Sequence, residues 1–595
     1  MSYRGPVREQ LFVLNEVLGV ERYANLPGFA DVQGEVLEQV LQAGADFAGE
    51  VLQPLNKVGD TQGCRLNDDG TVTTPDGFKA AYDQFCEGGW VGLDFPTEFG
   101  GQGLPHVVNM AVNEMVCGAN QAFAMYPGLS HAAIASLLVH GSEQQKALYL
   151  EKLISGEWSG TMNLTEPHCG TDLGMLKTKA VPQGDGSYKI TGNKIWISAG
   201  EHELASNIVH MVLARIEGAP EGVKGISLFL VPKYLPTADG QPGERNGVRC
   251  TGLEHKMGSH GNATCVLSYE DATGWLVGAE NGGMKAMFVM MNEARLGVGL
   301  QGLALGEAAY QAAAEFAKDR LQGRSLTGAK NPEGPADPII VHPDVRRMLL
   351  DSRSVLEAGR AFCYWTALWG DLQSKAPDEE TRQKANDYMG LLTPVVKAYL
   401  TDAGFDIAST AMQVHGGSGY TEHYPVSQLM RDARIAMIYE GANGVQALDL
   451  VGRKLAANGG RAVMTFFAEI DAYVAEHEGD ESLKPFVEAL KGAKAQLQEA
   501  TFWLMQNGLQ NPDNAGAASA DYLRLFGLTA LTFMWCKIVE AAQAKVAEGS
   551  SDRFYADKLV VGRYFLERIL PAAPAHLARL KTGSATVMAL PADAF

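Results

Sequence analysis

Several things are scarce in this sequence, and each scarcity excludes a class of protein. The eight cysteines (Cys64, Cys86, Cys117, Cys169, Cys250, Cys265, Cys363 and Cys536) are scattered without a Cys-x-x-Cys or any paired spacing. That spacing argues against a zinc site or a disulfide framework and for a reducing compartment. Long apolar runs are also missing: near the C-terminus the longest, Leu525 to Cys536, is about 12 residues, short of the ~20 that cross a bilayer, and reads as a buried helix. The first residues, MSYRGPVREQLFVLNEVLGVERY, interleave charges with apolar side chains and lack a secretory signal, so the expected compartment is the cytoplasm, with no stable membrane insertion. Positive charge is in deficit, 49 Lys and Arg against 69 Asp and Glu, and a net charge of −20 repels polyphosphates, so nucleic acid is not an expected partner. Low-complexity tracts and internal repeats are absent.

What is present is an ordinary globular composition, 46% hydrophobic, 20% charged and 8% aromatic. At 595 residues the chain is too long for one core of ~100–150 residues, and three or four domains are expected. To about residue 157 apolar residues recur at three and four, as in VQGEVLEQVLQAGADFAGEVLQPL, which predicts helices broken by loops at Gly63 to Gly77 and Phe95 to Gly103. From Trp158 to about residue 280 alternating, β-branched stretches such as SYKITGNKIWISAG, NIVHMVLARI and KGISLFLVPKYL predict a β domain. Helical periodicity returns over 281–459, and its long helices predict a bundle. The polar stretch Gly328 to Pro338 reads as an exposed loop, and 460–595 as a further helical extension.

Three short motifs fall at the junctions. MNLTEPHCGTDLG, Met162 to Gly174, ends in a glycine turn whose hydroxyls and amides suit a phosphate or a polar ring edge, although a plain hydrogen-bonded turn is the simpler reading of it alone. KIWISAG, Lys194 to Gly200, puts Trp196 and Ser198 on one strand face by period-two alternation, an arrangement a flat ring could use, although a Trp in a β domain is more often core. The longest, QVHGGSGYTEHYPVSQLMRDARIAMIYEGANGVQ from Gln413 to Gln446, inserts Gly416, Gly417, Gly419 and Gly441 into a helical region, where each costs up to ~1 kcal/mol relative to alanine. Glycines there point to a close backbone approach. Glu440, after the apolar Ile435 to Tyr439, is expected to be partly buried with a raised pKa, which a general base near neutral pH requires.

Taken in order, LTEPxxGTD, KxWIS, the MNEAR helix, the DRLQGR helix end, QVHGGSGYTxxYP, RDAR and IYEG resemble the acyl-CoA dehydrogenase family over about Glu87 to Lys454. Length and tail resemble its larger members, including bacterial enzymes acting on 3-(methylthio)propanoyl-CoA. The resemblance implies an α+β fold: an N-terminal helical domain (1–157), a central β-barrel-like domain (158–280), a C-terminal four-helix bundle (281–459) and the extension (460–595). It implies FAD as cofactor, with Leu164 and Thr165 at the flavin edge and Gly170 and Thr171 near the pyrophosphate or the bound acyl-CoA. Trp196 and Ser198 would flank the ring, while Arg320, Gln413, Gly416 and Gly417 would bind the ADP half across a dimer interface. Glu440 matches the family's catalytic base. Thr171, Arg295, Tyr439 and Gly441 match substrate contacts, and no metal is implied.

Some relatives carry the base on the MNEAR helix, at the position that is Ala294 here; Glu293 beside it is rotated ~100° away. Arg295 reads equally as a substrate-positioning arginine or a helix-surface ion pair. Two departures stand out: Arg320-Leu321-Gln322-Gly323-Arg324 lacks the aromatic that many relatives have there, and Ala442 replaces a common threonine. The expected activity is α,β-dehydrogenation of an acyl-CoA to the trans-2-enoyl-CoA, with electrons passed to an electron-transfer flavoprotein. Straight-chain fatty acyl-CoA and 3-(methylthio)propanoyl-CoA remain open as substrates, as does an oxidase using O2. A homodimer or dimer of dimers is expected. The stretch Arg553 to Lys581, with six basic residues against two acidic, could face an acidic partner, DNA in one branch of the superfamily, or solvent.

Overall fold

Apolar residues recurring at three and four positions fold as helices on both sides of a β segment, in a computed structural model that describes residues 3–595. The chain divides into two compact units. A barrel unit comprises Ala43–Leu104 and Met115–Gly297, and a helical unit comprises Met1–Gln42, Pro105–Glu114 and Val298–Phe595.

The barrel unit includes the last turn of helix α1 (His106–Ala119) and the helices α2 (Gln121–His140) and α3 (Glu143–Ile154). A seven-stranded sheet follows: β1 (Trp158–Asn163), β2 (Lys179–Pro182), β3 (Tyr188–Ser198), β4 (Asn207–Ile216), β5 (Ile226–Pro232), β6 (Val248–Leu253) and β7 (Thr264–Val277), with a separate two-stranded ladder of Tyr234–Pro236 and Pro242–Arg245. The ladder closes on itself, since β7 pairs with β3 and β5, β3 with β2, and β4 with both β2 and β5. Closure removes the free edges that an open sheet would expose. Outside the ring, β6 pairs with β7 and β1 runs parallel to β4. Inward positions such as Ile190, Val212, Phe229, Val231, Leu267 and Tyr269 fill the interior.

Two features depart from the expected pattern. Within Gly63 to Gly77 the loop contains a short antiparallel ladder, Arg65–Leu66 on Val72–Thr73. In β3 the strict alternation expected through KIWISAG breaks at a bulge: Lys194 faces Leu267 and Ile197 faces Cys265, so Ile195 and Trp196 oppose one residue. Lys194 and Ile197 are therefore both buried, while Trp196 takes a left-handed conformation (φ 58°) and is 61% exposed.

In the helical unit lie most of α4 (Gly283–Asp319), then α5 (Pro343–Lys375), α6 (Glu379–His415), α7 (Val426–Arg434) and α8 (Asn443–Asp449). Helices α4 and α6 approach through a glycine pair: a Cβ on Gly404 would lie 2.2 Å from the Gly302 carbonyl oxygen. The extension adds α9 (Arg461–His477), α10 (Lys484–Gln510), α11 (Pro512–Ala547), α12 (Arg553–Tyr564) and α13 (Ala573–Leu580). Helix α11 is the hub: it packs against α5, α6, α8, α10, α12 and α13 and is buried all round from Leu525 to Cys536. A helix surrounded by others loses its amphipathic stripe, which explains the apolar run. Among the described residues two helices, α2 and α11, are long and apolar enough to cross a membrane, and both bury most of that apolar stretch inside the protein.

The polar stretch from Gly328 to Pro338 is held by a buried anion. Asp337 accepts hydrogen bonds from the Ser325, Lys330 and Asn331 amides and pairs with Arg324, and these amides hold its carboxyl down at about 2. Five of the six basic residues from Arg553 to Lys581 pair within the chain: Arg553 with Asp557, Arg563 with Glu567, Arg579 with Asp521 and Lys581 with Glu499, while Lys558 is buried between Glu9 and Glu357.

Candidate active site

In the barrel unit the end of β1 runs into the loop Leu164–Thr178, and that loop is clamped to β3. The Ile195 amide donates to the Thr165 carbonyl at 3.0 Å, and Lys194 Nζ donates to the Leu164 carbonyl at 3.0 Å and to Glu166 Oε1 at 2.9 Å. Lys194 is fully buried, and burial pushes it down to about 8 against the pull of Glu166. Burial works against the Glu166 carboxylate too, but Lys194, the Thr178 hydroxyl and the Lys177 amide together hold its pKa below the usual range. Further along, Arg215 ties the loop down by donating to the Leu176 and Gly174 carbonyls. Leu164 and Thr165 are thereby fixed beside Lys194–Ser198. Gly170 and Thr171 lie exposed on the same loop, with Gly170 against the Thr165 methyl. The hydroxyls of Thr165, Thr171 and Ser198 have no partner among the described residues. An exposed indole near unspent hydroxyls can hold a flat heteroaromatic ring.

Arg295, in the part of α4 that belongs to the barrel unit, is only 5% exposed. The reading of it as a helix-surface ion pair is thus excluded. Ala294 and Glu293 are half-buried.

In the helical unit the C-terminal end of α4 meets the C-terminal end of α6 through stacked rings: Phe316 lies 4.3 Å from His415, and both touch Tyr424. This brings Arg320 to the neighbourhood of Gln413, Gly416 and Gly417, all four exposed. Gly416 is left-handed (φ 58°), and a Cβ on it or on Gly417 would meet nothing within 4 Å, so none of the described residues makes the close approach their glycines permit. Gly419 differs: its missing Cβ would sit 2.7 Å from the Met412 carbonyl, a packing requirement.

Tyr439, Glu440 and Gly441 form a strained turn before α8. Glu440 is left-handed at φ 57°, which costs a non-glycine residue on the order of 1–2 kcal/mol, and Gly441 follows at φ 88°. Anchors over-determine the turn. Gln446 Nε2, buried, donates to the carbonyls of Glu440 (3.2 Å) and Gly441 (3.1 Å). Lys397 Nζ, fully buried on α6, donates to the Gly441 carbonyl and to Asn443 Oδ1, each at 2.9 Å. Asn443 in turn donates to Thr401 and Asp402, and the Tyr439 hydroxyl donates to Gln301. Glu440 is half-buried, as its apolar flank predicts. Non-glycine strain maintained by this many bonds is characteristic of functional positions.

The residues sequence reasoning passed over are the clamps: Lys194, Glu166, Lys397 and Gln446. A signal existed for two of them. Lys194 opens its strand motif at an inward position, and Lys397 interrupts the apolar run LLTPVVKAYL, where an unpaired ammonium would be prohibitively costly.

Against known families, the acyl-CoA dehydrogenase N-terminal domain matches residues 37–157, the middle domain 161–272 and the C-terminal domain 281–455. An acetyl-CoA dehydrogenase C-terminal-like domain matches 466–591. The chain is 42% identical to 3-methylmercaptopropionyl-CoA dehydrogenase of Ruegeria pomeroyi over 98% of each chain. It belongs to the acyl-CoA dehydrogenase family. The protein is accordingly an oxidoreductase acting on acyl-CoA thioesters, and FAD is the family cofactor. A broad-specificity linear acyl-CoA dehydrogenase of Mycobacterium tuberculosis is 34% identical over 100% of both chains. The fold is that of a Bacillus anthracis acyl-CoA dehydrogenase solved with FAD, at TM-score 0.75 and 22% identity over 92% of this chain and 88% of that one.

Proposed function

We propose that this chain dehydrogenates a short acyl-CoA at its α,β-bond, with Glu440 as the base, and that 3-(methylthio)propanoyl-CoA is its substrate. The observation that carries the chemistry is the left-handed Glu440 pinned through its own carbonyl and the next one, a conformation a merely solvated carboxylate has no reason to adopt. The substrate rests on the full-length likeness to the Ruegeria pomeroyi enzyme.

The barrel-unit residues fit a flavin. Trp196 offers an exposed aromatic face, and Thr165 and Ser198 offer unspent hydroxyls on a backbone that Lys194 holds rigid. Arg320, Gln413, Gly416 and Gly417 would take the ADP half, and Gly170 and Thr171 the pyrophosphate or the CoA. When bound, FAD would supply the two-electron acceptor for the β-hydride. Glu440 takes the α-proton. Charge then develops on the thioester carbonyl, and a fixed backbone N–H at the Glu440 turn stabilises it; losing such a donor typically costs about 3 kcal/mol. Arg295, Tyr439, Gly441 and Thr171 would position the thioester. Electrons would leave to an electron-transfer flavoprotein, from a homodimer in the cytoplasm.

The test is an anaerobic titration of the yellow protein with acetyl-, butyryl-, octanoyl- and 3-(methylthio)propanoyl-CoA, following flavin bleaching. Bleaching by 3-(methylthio)propanoyl-CoA at the lowest concentration, and its loss in Glu440→Gln by at least about 1,000-fold, are expected. Preference for octanoyl-CoA would overturn the substrate, and bleaching undiminished in the variant would overturn the base. Rapid reoxidation by air would favour an oxidase.

A further inference from the structure

The Glu440 turn is held from the middle of α6, well before the Gln413 end of that helix. Lys397 lies on α6, 0% exposed, and its Nζ reaches across to the Gly441 carbonyl and to Asn443 Oδ1, each at 2.9 Å. Burying an ammonium is among the costliest things a fold can do, and here its donors meet the two residues that end the strained turn. The second of these, Asn443, is itself tied back to α6 through Thr401 Oγ1 (3.0 Å) and Asp402 Oδ1 (2.7 Å). Gln446 covers the remaining carbonyl, that of Glu440.

We propose that Lys397 is a positioning residue for dehydrogenation: by fixing the Gly441 carbonyl and the Asn443 amide it keeps Glu440 left-handed and so aims its carboxylate. This rests on the reading of Glu440 as the base. The physical reason is conformational. Left to itself a glutamate relaxes to negative φ, and that change carries its Cβ to the other side of the chain and the carboxylate with it. These bonds fix the turn through its backbone carbonyls and Asn443. Misplacement of a reacting group by about 1 Å costs on the order of 100-fold in rate, and ligand affinity need not change.

The experiment separates proton abstraction from oxidation. The probe is (methylthio)acetyl-CoA, whose β-atom is sulfur and has no hydrogen to give up, so that only its α-protons can react. Exchange of those protons in D2O is followed by mass spectrometry on the FAD-loaded enzyme, at saturating thioester, and its Kd is measured separately. Lys397→Met is expected to slow exchange by on the order of 100-fold with flavin content and Kd within about twofold of the parent. Lys397→Arg, which retains a buried donor, is expected to recover most of that loss. Unchanged exchange in Lys397→Met, with Glu440→Gln inactive, would overturn the proposal and leave the base intact. Exchange undiminished in Glu440→Gln would overturn the base itself. A slowed rate matched by an equal loss of bound FAD or a weakened Kd would assign Lys397 a purely structural role and overturn the proposal as well. If Lys397→Met does not accumulate as a flavoprotein, Asn443→Ala removes one of the lysine's acceptors and is judged by the same outcomes.

Discussion

At the scale of single residues, the molecule spends buried polar groups on rigidity. His202 and His210 illustrate how tightly. The Leu204 amide donates to His202 Nδ1 at 3.1 Å, so that nitrogen carries no proton and Nε2–H donates to Ser159 Oγ at 3.0 Å. His210 Nδ1 meets Thr161 Oγ1 at 2.7 Å. Burial, with Lys233 adding to it, pushes both rings down to about 3 from an ordinary 6.5. The sign follows: as pH falls through about 6.5 the unfolded chain takes up two protons that the folded chain refuses until about 3. Their contribution is complete above 6.5 and is lost between 6.5 and 3, at up to about 3 kcal/mol per pH unit for the pair. We expect His202→Gln to flatten the dependence of unfolding free energy on pH by roughly 1 kcal/mol per unit between pH 6 and 5, read by urea denaturation. A slope equal to that of the parent would contradict a neutral buried His202. The sequence displays His210 only as a polar residue on an apolar strand and His202 as one in a connecting loop; what makes them neutral is burial against β1, whose Ser159 and Thr161 they meet.

Among the secondary elements, helix against helix is decided by the side chains that are missing. Gly302 and Gly404 let α4 and α6 come so close that a Cβ on Gly404 would overlap the Gly302 carbonyl at 2.2 Å. A backbone oxygen cannot rotate away as a side chain does, so Gly404→Ala must push the helices apart, at a cost of about 1–3 kcal/mol or more. Because α6 also carries Lys397, the same substitution is expected to slow turnover as well as lower Tm, a pairing that calorimetry and steady-state kinetics check together. Local pattern foretold the helices themselves, since periods of 2 and 3.6 are written within one element. It foretold neither the α4–α6 approach nor the bulge at Trp196. Alternation puts Trp196 on a regular strand face, but β7 is one residue short opposite it, and a register mismatch is a property of two strands.

At the scale of the whole molecule, distant parts of the chain are joined by buried charge. Lys558 on α12 is 1% exposed in its side chain and pairs with Glu9 and, at 2.9 Å, with Glu357 on α5; its ammonium also lies 4.5 Å from the Phe554 ring centre and 5.5 Å from that of Phe12. Removing the cation takes the ammonium from a partly buried Glu9 and leaves the buried Glu357 with Arg353 alone. Lys558→Met is therefore expected to cost about 3–5 kcal/mol, seen as a lower midpoint in urea. Arg563→Gln, which breaks an exposed pair on the same helix, should leave the midpoint where it is. The same basic stretch pairs with Asp521 and Glu499 of α11 and α10 through Arg579 and Lys581. The sequence by itself determined the order of helical and β segments, the place of each motif and the half-burial of Glu440, because periodicity, turn residues and flanking apolar side chains act over a few positions. Only the tertiary structure decided the closure of the barrel, the exposure of Trp196, the burial of Arg295 and the partners of three buried lysines. The physical reason is distance along the chain. Lys194 meets its carboxylate 28 residues away, Lys397 its carbonyl 44 away and Lys558 its glutamate 549 away, and no local pattern records a partner that only folding brings near.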